Sequence, residues 1–235
     1  SWSGANEFRR LAQGLADGMP ESKGTDTINF IFPHEVPKGQ KVTYAQICCD
    51  ICPQKEETHR TRITAGGDRL DYDGDTATDT ASMETIKLHW NSTISTLHAR
   101  YMCLDIKNMY LNTKLPQPQY MRFHISVIPE EVITHYKLRG KMDANGWVYV
   151  RINNAIYGLK EAGKLANNDL VKRLVQHGYI PEKQTVGLFR HISRPITFTL
   201  VTDDFGVKYV NKRDVDHLIK ALSHHVIRID WEEKN

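Results

Sequence analysis

The sequence predicts an α+β fold built on antiparallel sheet, and three observations carry the prediction. Short runs rich in β-branched and aromatic residues recur along the chain, among them INFIF, VTYAQICCDI, THRTRITA, GWVYVRI and PITFTLV. Stretches with apolar residues at three- and four-residue steps are fewer than these runs, so most strands have no crossover helix to make them parallel. Turn formers also sit close between successive runs, as hairpins require.

The opening NEFRRLAQGLADG spaces Phe8, Leu11 and Leu15 for an amphipathic helix, ended by Gly18 and Pro20. It starts abruptly, as expected of a fragment cut from a longer polypeptide. Over residues 27–67, three β-prone runs separated by PHEVPKGQ and PQKEE predict a small β-rich lobe. Arg60 and Arg62 alternate with Thr61 and Ile63, which puts both guanidinium groups on one strand face, suited to phosphate. In LDYDGDTATDT, Asp71, Asp73 and Asp75 are spaced as in a calcium loop, but Thr76 and Ser82 stand where such a loop needs Gly and a bidentate Glu. That run therefore reads as a solvated loop capping the next helix, over about residues 81–97, with Met83, Ile86, Trp90 and Ile94 on one face.

ARYMCLDIKNMYL predicts an apolar strand ending at Asp105, followed by a turn-rich LNTKLPQPQ, a strand near YMRFHI and a short helix from Pro129. GWVYVRI is the next strand. LKEAGKLANNDLVKRLVQHG then forms a helix with Leu165, Leu170, Val171 and Leu174 on one side. VGLFRH, PITFTLVTDD and FGVKYV follow as three close strands, then the helix NKRDVDHLIKALSHH and a last strand VIRID. The helices are expected on one face of the sheet.

With 40% hydrophobic and 25% charged residues, the 235-residue chain suits one large domain or two lobes. No apolar run approaches the roughly 20 residues that cross a bilayer. SWSGANEFRR lacks the order of a secretory signal, so a soluble intracellular protein is expected. A net charge of +3 permits a nucleic-acid partner without pointing to one. Cys49 and Cys52 are spaced C-x-x-C, yet Cys103 is remote and no histidine pair completes a zinc site, so Cys48, Cys49, Cys52 and Cys103 are expected to be buried or inert.

The segment PITFTLVTDDFGVKYV puts Asp203 and Asp204 at a hairpin tip. Adjacent ionised carboxylates repel unless a cation neutralises them or water solvates both, so a metal site and a solvated acidic turn both stay open. Pairing of neighbouring strands would bring Asp105 beside the tip, and three carboxylates on strand ends make a hard-oxygen site suited to Mg²⁺. Nucleotidyl transfer needs such a site, with two ions roughly 3.5–4 Å apart at the attacking and leaving oxygens. Asp204, Phe205 and Gly206 also spell the kinase magnesium motif, but no G-x-G-x-x-G opens the chain and Arg213–Asp214 follows the motif instead of preceding it.

HRTRITAGG, YMCLDIKNMYLNT, INNAIYGLKEAGKLAN and FTLVTDDFGVKY, in that order, make the chain resemble copia-type retrotransposon reverse transcriptases over about residues 6–231. The resemblance implies a polymerase palm, an antiparallel sheet with helices on one face, plus a small β-rich fingers lobe. Residues 1–97 would be the fingers-like region with its N-terminal helix and 98–235 the palm, with thumb and ribonuclease H absent. It implies an RNA-directed DNA polymerase in which Asp105, Asp203 and Asp204, with the Ile106 carbonyl, hold two Mg²⁺ ions, Mn²⁺ being an alternative. Arg62 would contact the triphosphate, Arg60 would stand at a basic position, and Tyr110 would pack under the incoming sugar and exclude a 2′-hydroxyl. Implied partners are an RNA or DNA template with its primer, deoxynucleoside triphosphates, and the rest of a polyprotein with integrase and ribonuclease H. No membrane is implied, and the implied location is a cytoplasmic virus-like particle or the nucleus.

Glu161 departs from the family, standing at the glutamine that touches the incoming nucleotide and template; Val201, Thr202 and Gly66 depart as well. An anion facing a triphosphate is electrostatically unfavourable. Glu161 and the stop at Asn235 favour a decayed remnant that folds and binds nucleic acid without polymerising, whereas retention of all three aspartates favours a working enzyme.

Overall fold

The computed structural model describes residues 2–14, 24–53, 58–223 and 229–232. In chain order the elements are α1 (Trp2–Leu11), β1 (Ile28–Ile31), β2 (Val42–Ile51), β3 (His59–Ala65), α2 (Met83–Ile94), β4 (Arg100–Ile106), β5 (Lys114–His124), α3 (Glu130–His135), β6 (Trp147–Asn154), α4 (Ala162–Gln176), β7 (Tyr179–Pro181), β8 (Leu188–His191), β9 (Ile196–Val201), β10 (Asp204–Tyr209), α5 (Lys212–Ser223) and β11 (Ile229–Glu232). The fold is mixed α+β with two sheets, and the chain divides into two compact units, Ser1–Asp75 with Tyr110–Ala162, and Thr76–Met109 with Gly163–Asn235.

The first unit holds a five-stranded sheet in the order β1-β6-β5-β2-β3, antiparallel except between β2 and β5. Alternation along β3 sends Thr61, Ile63 and Ala65 inward and Arg60, Arg62 and Thr64 outward. α1 covers the inward face with Ala5, Phe8 and Leu11, followed by Ala12 just past its end, and the Phe8 ring lies 6.3 Å from Phe30 and 5.2 Å from Phe123. α3 adds Val132 and Ile133 to the same core. Glu7 is buried on α1, where it accepts from the Ile63 N–H at 3.2 Å and pairs with Arg10 at 2.5 Å. Burial pushes its carboxyl pKa up against the lowering effect of Arg10.

The second unit is a wholly antiparallel six-stranded sheet, β11-β4-β10-β9-β8-β7. One face is apolar, with Met102, Leu104, Phe198, Leu200, Phe205 and Val207 buried. On that side α5 brings His217 to the Tyr179 hydroxyl at 2.9 Å and Asp214 to Arg194 at 2.9 Å, beside the Tyr179–Phe198 ring contact. α2 lies on the opposite face. There His89 Nε2 is 2.9 Å from Thr197 Oγ1, and Lys208 Nζ donates to Ser92 O at 3.0 Å and to Thr96 Oγ1 at 2.8 Å.

Several expectations are corrected. Helices occupy one face only in the first unit; in the second they lie on both, α2 meeting the sheet mainly through hydrogen bonds, with Ile86 alone of its apolar stripe turned toward it. Met83, Trp90 and Ile94 are consequently 59%, 55% and 71% exposed, while His89 and Thr93 are buried. LNTKLPQPQ is largely strand, with a register shift between Lys114 and Gln119 where Pro116 and Pro118 lack N–H groups. β7 was not anticipated. The thiols are free but none is buried, and Cys49 and Cys103 are exposed, the latter because it points outward in the alternation of β4. Helix α1 ends at Leu11; Leu15, Gly18 and Pro20, like residues 226–228 of the VIRID segment, lie outside the described residues. Among the described residues no helix is long and apolar enough to cross a membrane.

His89 generates a pH prediction. Desolvation first, and the Lys208 charge second, lower its pKa from 6.5 to about 4, so the folded state holds it neutral. Protonation then favours the unfolded chain: stability is intact above about 6.5 and falls as pH drops toward about 4. Denaturant midpoints measured across this window should decline for the native chain and decline less for His89→Gln, which keeps a hydrogen-bonding side chain toward Thr197.

Candidate metal centre

In the second unit, β9 and β10 are joined by the shortest practical turn. Val201 pairs with Asp204, leaving Thr202 and Asp203 as the two loop residues. Thr202 takes φ +59, a left-handed conformation that such turns usually assign to glycine and that a β-branched residue rarely adopts. Strain of this kind costs on the order of 1–3 kcal/mol and gathers at functional sites. The Asp203 carbonyl accepts from the Ile106 N–H at 3.1 Å, which ties the turn to the end of β4.

The β4–β10 register sets Asp204 directly opposite Asp105, and residues so paired project from the same face. Asp105, Asp203 and Asp204 each offer a carboxylate oxygen, and these atoms lie within 4.8 Å of one another; Asp105 and Asp204 are exposed and Asp203 half-buried. Among the described residues this is the one group of three or more potential ligands so arranged, and it does not include Asp71, Asp73 or Asp75. The donor set fits a hard divalent cation: it is all oxygen, anionic, and open enough for water or phosphate to share the shell. Ile106, expected to add its carbonyl, has a buried side chain and pairs with Ile229 of β11.

Beside the carboxylates, the sheet face opens into a cavity of about 600 Å³ lined by Ile86, Tyr101, Cys103, Thr199, Val201 and Gly206. A Cβ at Gly206 would fall 1.9 Å from the Tyr101 hydroxyl and 2.8 Å from Thr199 Oγ1. Glycine is therefore required for Tyr101 to reach across to Thr199. Sequence reasoning met Gly206 only as part of a kinase-like triplet; the signal available was a glycine inside a strand, which often marks a close approach.

The other sequence-derived candidates, Arg60, Arg62, Tyr110 and Glu161, belong to the first unit. Arg60 and Arg62 share the outward face of β3, as their alternation implied. The Arg62 guanidinium carbon lies 5.6 Å from the centre of the Tyr157 ring, and its buried Nε has no hydrogen-bond partner. Tyr110 meets the same ring edge-on, centroids 5.1 Å apart at 86°. Arg62 and Tyr110 are thus brought together through Tyr157, a residue the sequence reading passed over although it sits in IYGLKEAG. Glu161 is only 8% exposed.

A backbone junction positions this group. The Ala65 N–H donates to the Tyr157 carbonyl at 2.8 Å, a Cβ at Gly67 would lie 2.1 Å from the Gly158 oxygen, and one at Gly158, φ +96, would lie 2.0 Å from the Ala65 oxygen. Two of the motifs quoted above, HRTRITAGG and INNAIYGLKEAGKLAN, interlock at these glycines.

No protein-family model and no curated protein matches the chain. Two stability measurements test the centre as built. Thr202→Gly should stabilise the chain by about 1 kcal/mol in chemical denaturation, relief of strain outweighing glycine's extra unfolded-state entropy. In chelator, Asp204→Asn should melt higher than the native chain because one like charge is gone; added Mg²⁺ or Mn²⁺ should raise the native melting temperature and leave the variant nearly unmoved.

Proposed function

We propose that the chain is the fingers-and-palm portion of a reverse transcriptase related to those of copia-type retrotransposons, an RNA-directed DNA polymerase. The reaction is attack of a primer 3′-hydroxyl on the α-phosphorus of a deoxynucleoside triphosphate, with pyrophosphate leaving. The observation that carries the reading is the carboxylate geometry: oxygens of Asp105 and Asp204 at strand ends and of Asp203 in the turn between β9 and β10, within 4.8 Å of one another. These three side chains would hold Mg²⁺, which when bound supplies positive charge to the attacking and leaving oxygens.

The remaining roles fall to the chain's own groups. The β4–β10 pairing and the Asp203 carbonyl bond to Ile106 hold the carboxylates in place before substrate arrives, so little reorganisation is needed. Arg62 contacts the triphosphate, with Arg60 beside it on the same strand face, and Tyr110 packs under the sugar. The template–primer and the deoxynucleoside triphosphate are the partners, and the rest of a retroelement polyprotein supplies integrase and ribonuclease H. A second reading, a remnant that folds and binds nucleic acid without polymerising, is favoured by one feature: an acid, Glu161, at the family's glutamine position.

Primer extension on poly(rA) with oligo(dT), dTTP and Mg²⁺ separates the two. The polymerase reading expects incorporation by the native chain, its abolition by Asp203→Asn, and faster incorporation by Glu161→Gln. No incorporation by the native chain or by Glu161→Gln, or incorporation that survives Asp203→Asn, would sink it.

A further inference from the structure

We propose that Tyr157 is a positioning residue that sets Arg62 and Tyr110 together in one nucleoside-triphosphate cleft, coupling triphosphate affinity to sugar discrimination. The inference rests on the polymerase reading and deepens it.

Three observations, all within the first unit, carry it. First, the Tyr157 backbone has almost no latitude. Its carbonyl accepts from Ala65 N–H at 2.8 Å, and Gly158 and Gly67 are packed so closely against neighbouring backbone that neither admits a Cβ. Tyr157 is therefore located relative to the end of β3, the strand that carries Arg60 and Arg62.

Second, the half-buried ring lies against the Arg62 guanidinium, 5.6 Å from centroid to carbon, and the attraction between a cation and a ring quadrupole confines a side chain otherwise free to sample many rotamers. Arg62 has no carboxylate partner among the described residues, and its shielded Nε is unbonded, so its charge is left for an external anion. Third, the edge-on contact with Tyr110 at 5.1 Å holds the second aromatic in the favourable perpendicular arrangement. One ring thus serves two neighbours with different tasks. The contacts use the ring and not the hydroxyl, which separates Tyr157 from a residue acting by hydrogen bonding or proton transfer.

The test compares Tyr157→Leu, Tyr157→Phe and Arg62→Ala in the full chain by equilibrium dTTP binding and by primer extension with dTTP and UTP. Tyr157→Leu should weaken dTTP binding and raise its KM roughly three- to tenfold. Its kcat should change little, and its use of UTP relative to dTTP should rise. Tyr157→Phe should retain native values on every count. Adding Tyr157→Leu to Arg62→Ala should weaken dTTP binding no further than Arg62→Ala alone.

Native-like binding and discrimination by Tyr157→Leu, equal damage by Tyr157→Phe, additive effects with Arg62→Ala, or no dTTP binding by the native chain would each overturn the inference. If the native chain polymerises while Tyr157→Leu behaves as native, the polymerase reading survives and this inference falls. If the native chain binds dTTP through Tyr157 and Arg62 but extends no primer, the polymerase reading falls and the cleft stands. Should Tyr157→Leu fail to melt cooperatively, the Tyr157→Phe and Arg62→Ala predictions still decide the matter.

Discussion

Pairing of β4 with β10 in a single register, Asp105 opposite Asp204, is the constraint on which the acidic centre depends. Electrostatics alone would not choose it, since like charges directly opposite one another destabilise a sheet. The other face of the same strands does. Met102, Leu104, Phe205 and Val207 are buried there, each contributing about 1.5–3 kcal/mol on burial, whereas repulsion between exposed carboxylates is about 1 kcal/mol or less. A slip of one residue would turn that apolar set to water. The core therefore holds the carboxylates together against their repulsion, and a divalent cation is the species that would relieve it.

Local strain accumulates at the same place. Thr202 occupies a left-handed conformation at the turn that carries Asp203 and Asp204, and the turn is held by the bond from Ile106 N–H to the Asp203 carbonyl. Neither the backbone conformation nor the crowding of three acids follows from stability; both are tolerated because the flanking sheet over-determines the hairpin. In the first unit, the junction of Gly67 and Gly158 works by the opposite means. There the absence of side chains lets two backbone segments touch, and the result is a Tyr157 ring fixed between Arg62 and Tyr110.

Helix α2 shows where periodicity misleads. Its apolar residues recur at helical steps, yet of that stripe Ile86 alone turns to the sheet, and the contact is made mainly by His89 and Ser92, with Thr96 just past the helix, bonded to Thr197 and Lys208. A pattern of apolar residues says which side of a helix can be buried by hydrophobic contact. It does not say that the side will be buried when a polar face can satisfy buried groups on its partner.

From sequence alone, most strands, all five helices in outline, the acidic hairpin and the outward pairing of Arg60 with Arg62 were legible, because each follows from local alternation, capping or turn chemistry. A tight turn carrying the acidic pair was legible too, since two β-runs flank it, but the sequence put Asp203 and Asp204 at the tip whereas the loop is Thr202 and Asp203, with Asp204 opening β10. The approach of Asp105 to the acidic tip was foreseen from strand pairing, but what tertiary structure alone decided were the exact relations between distant segments: the register that sets Asp105 directly opposite Asp204, Tyr157 as the common neighbour of Arg62 and Tyr110, the need for glycine at positions 67, 158 and 206, and the placement of α2 on the second face of its sheet. Spacing along the chain encodes direction and period. Which groups meet across it is settled by how the apolar faces pack, and that is a property of the folded core.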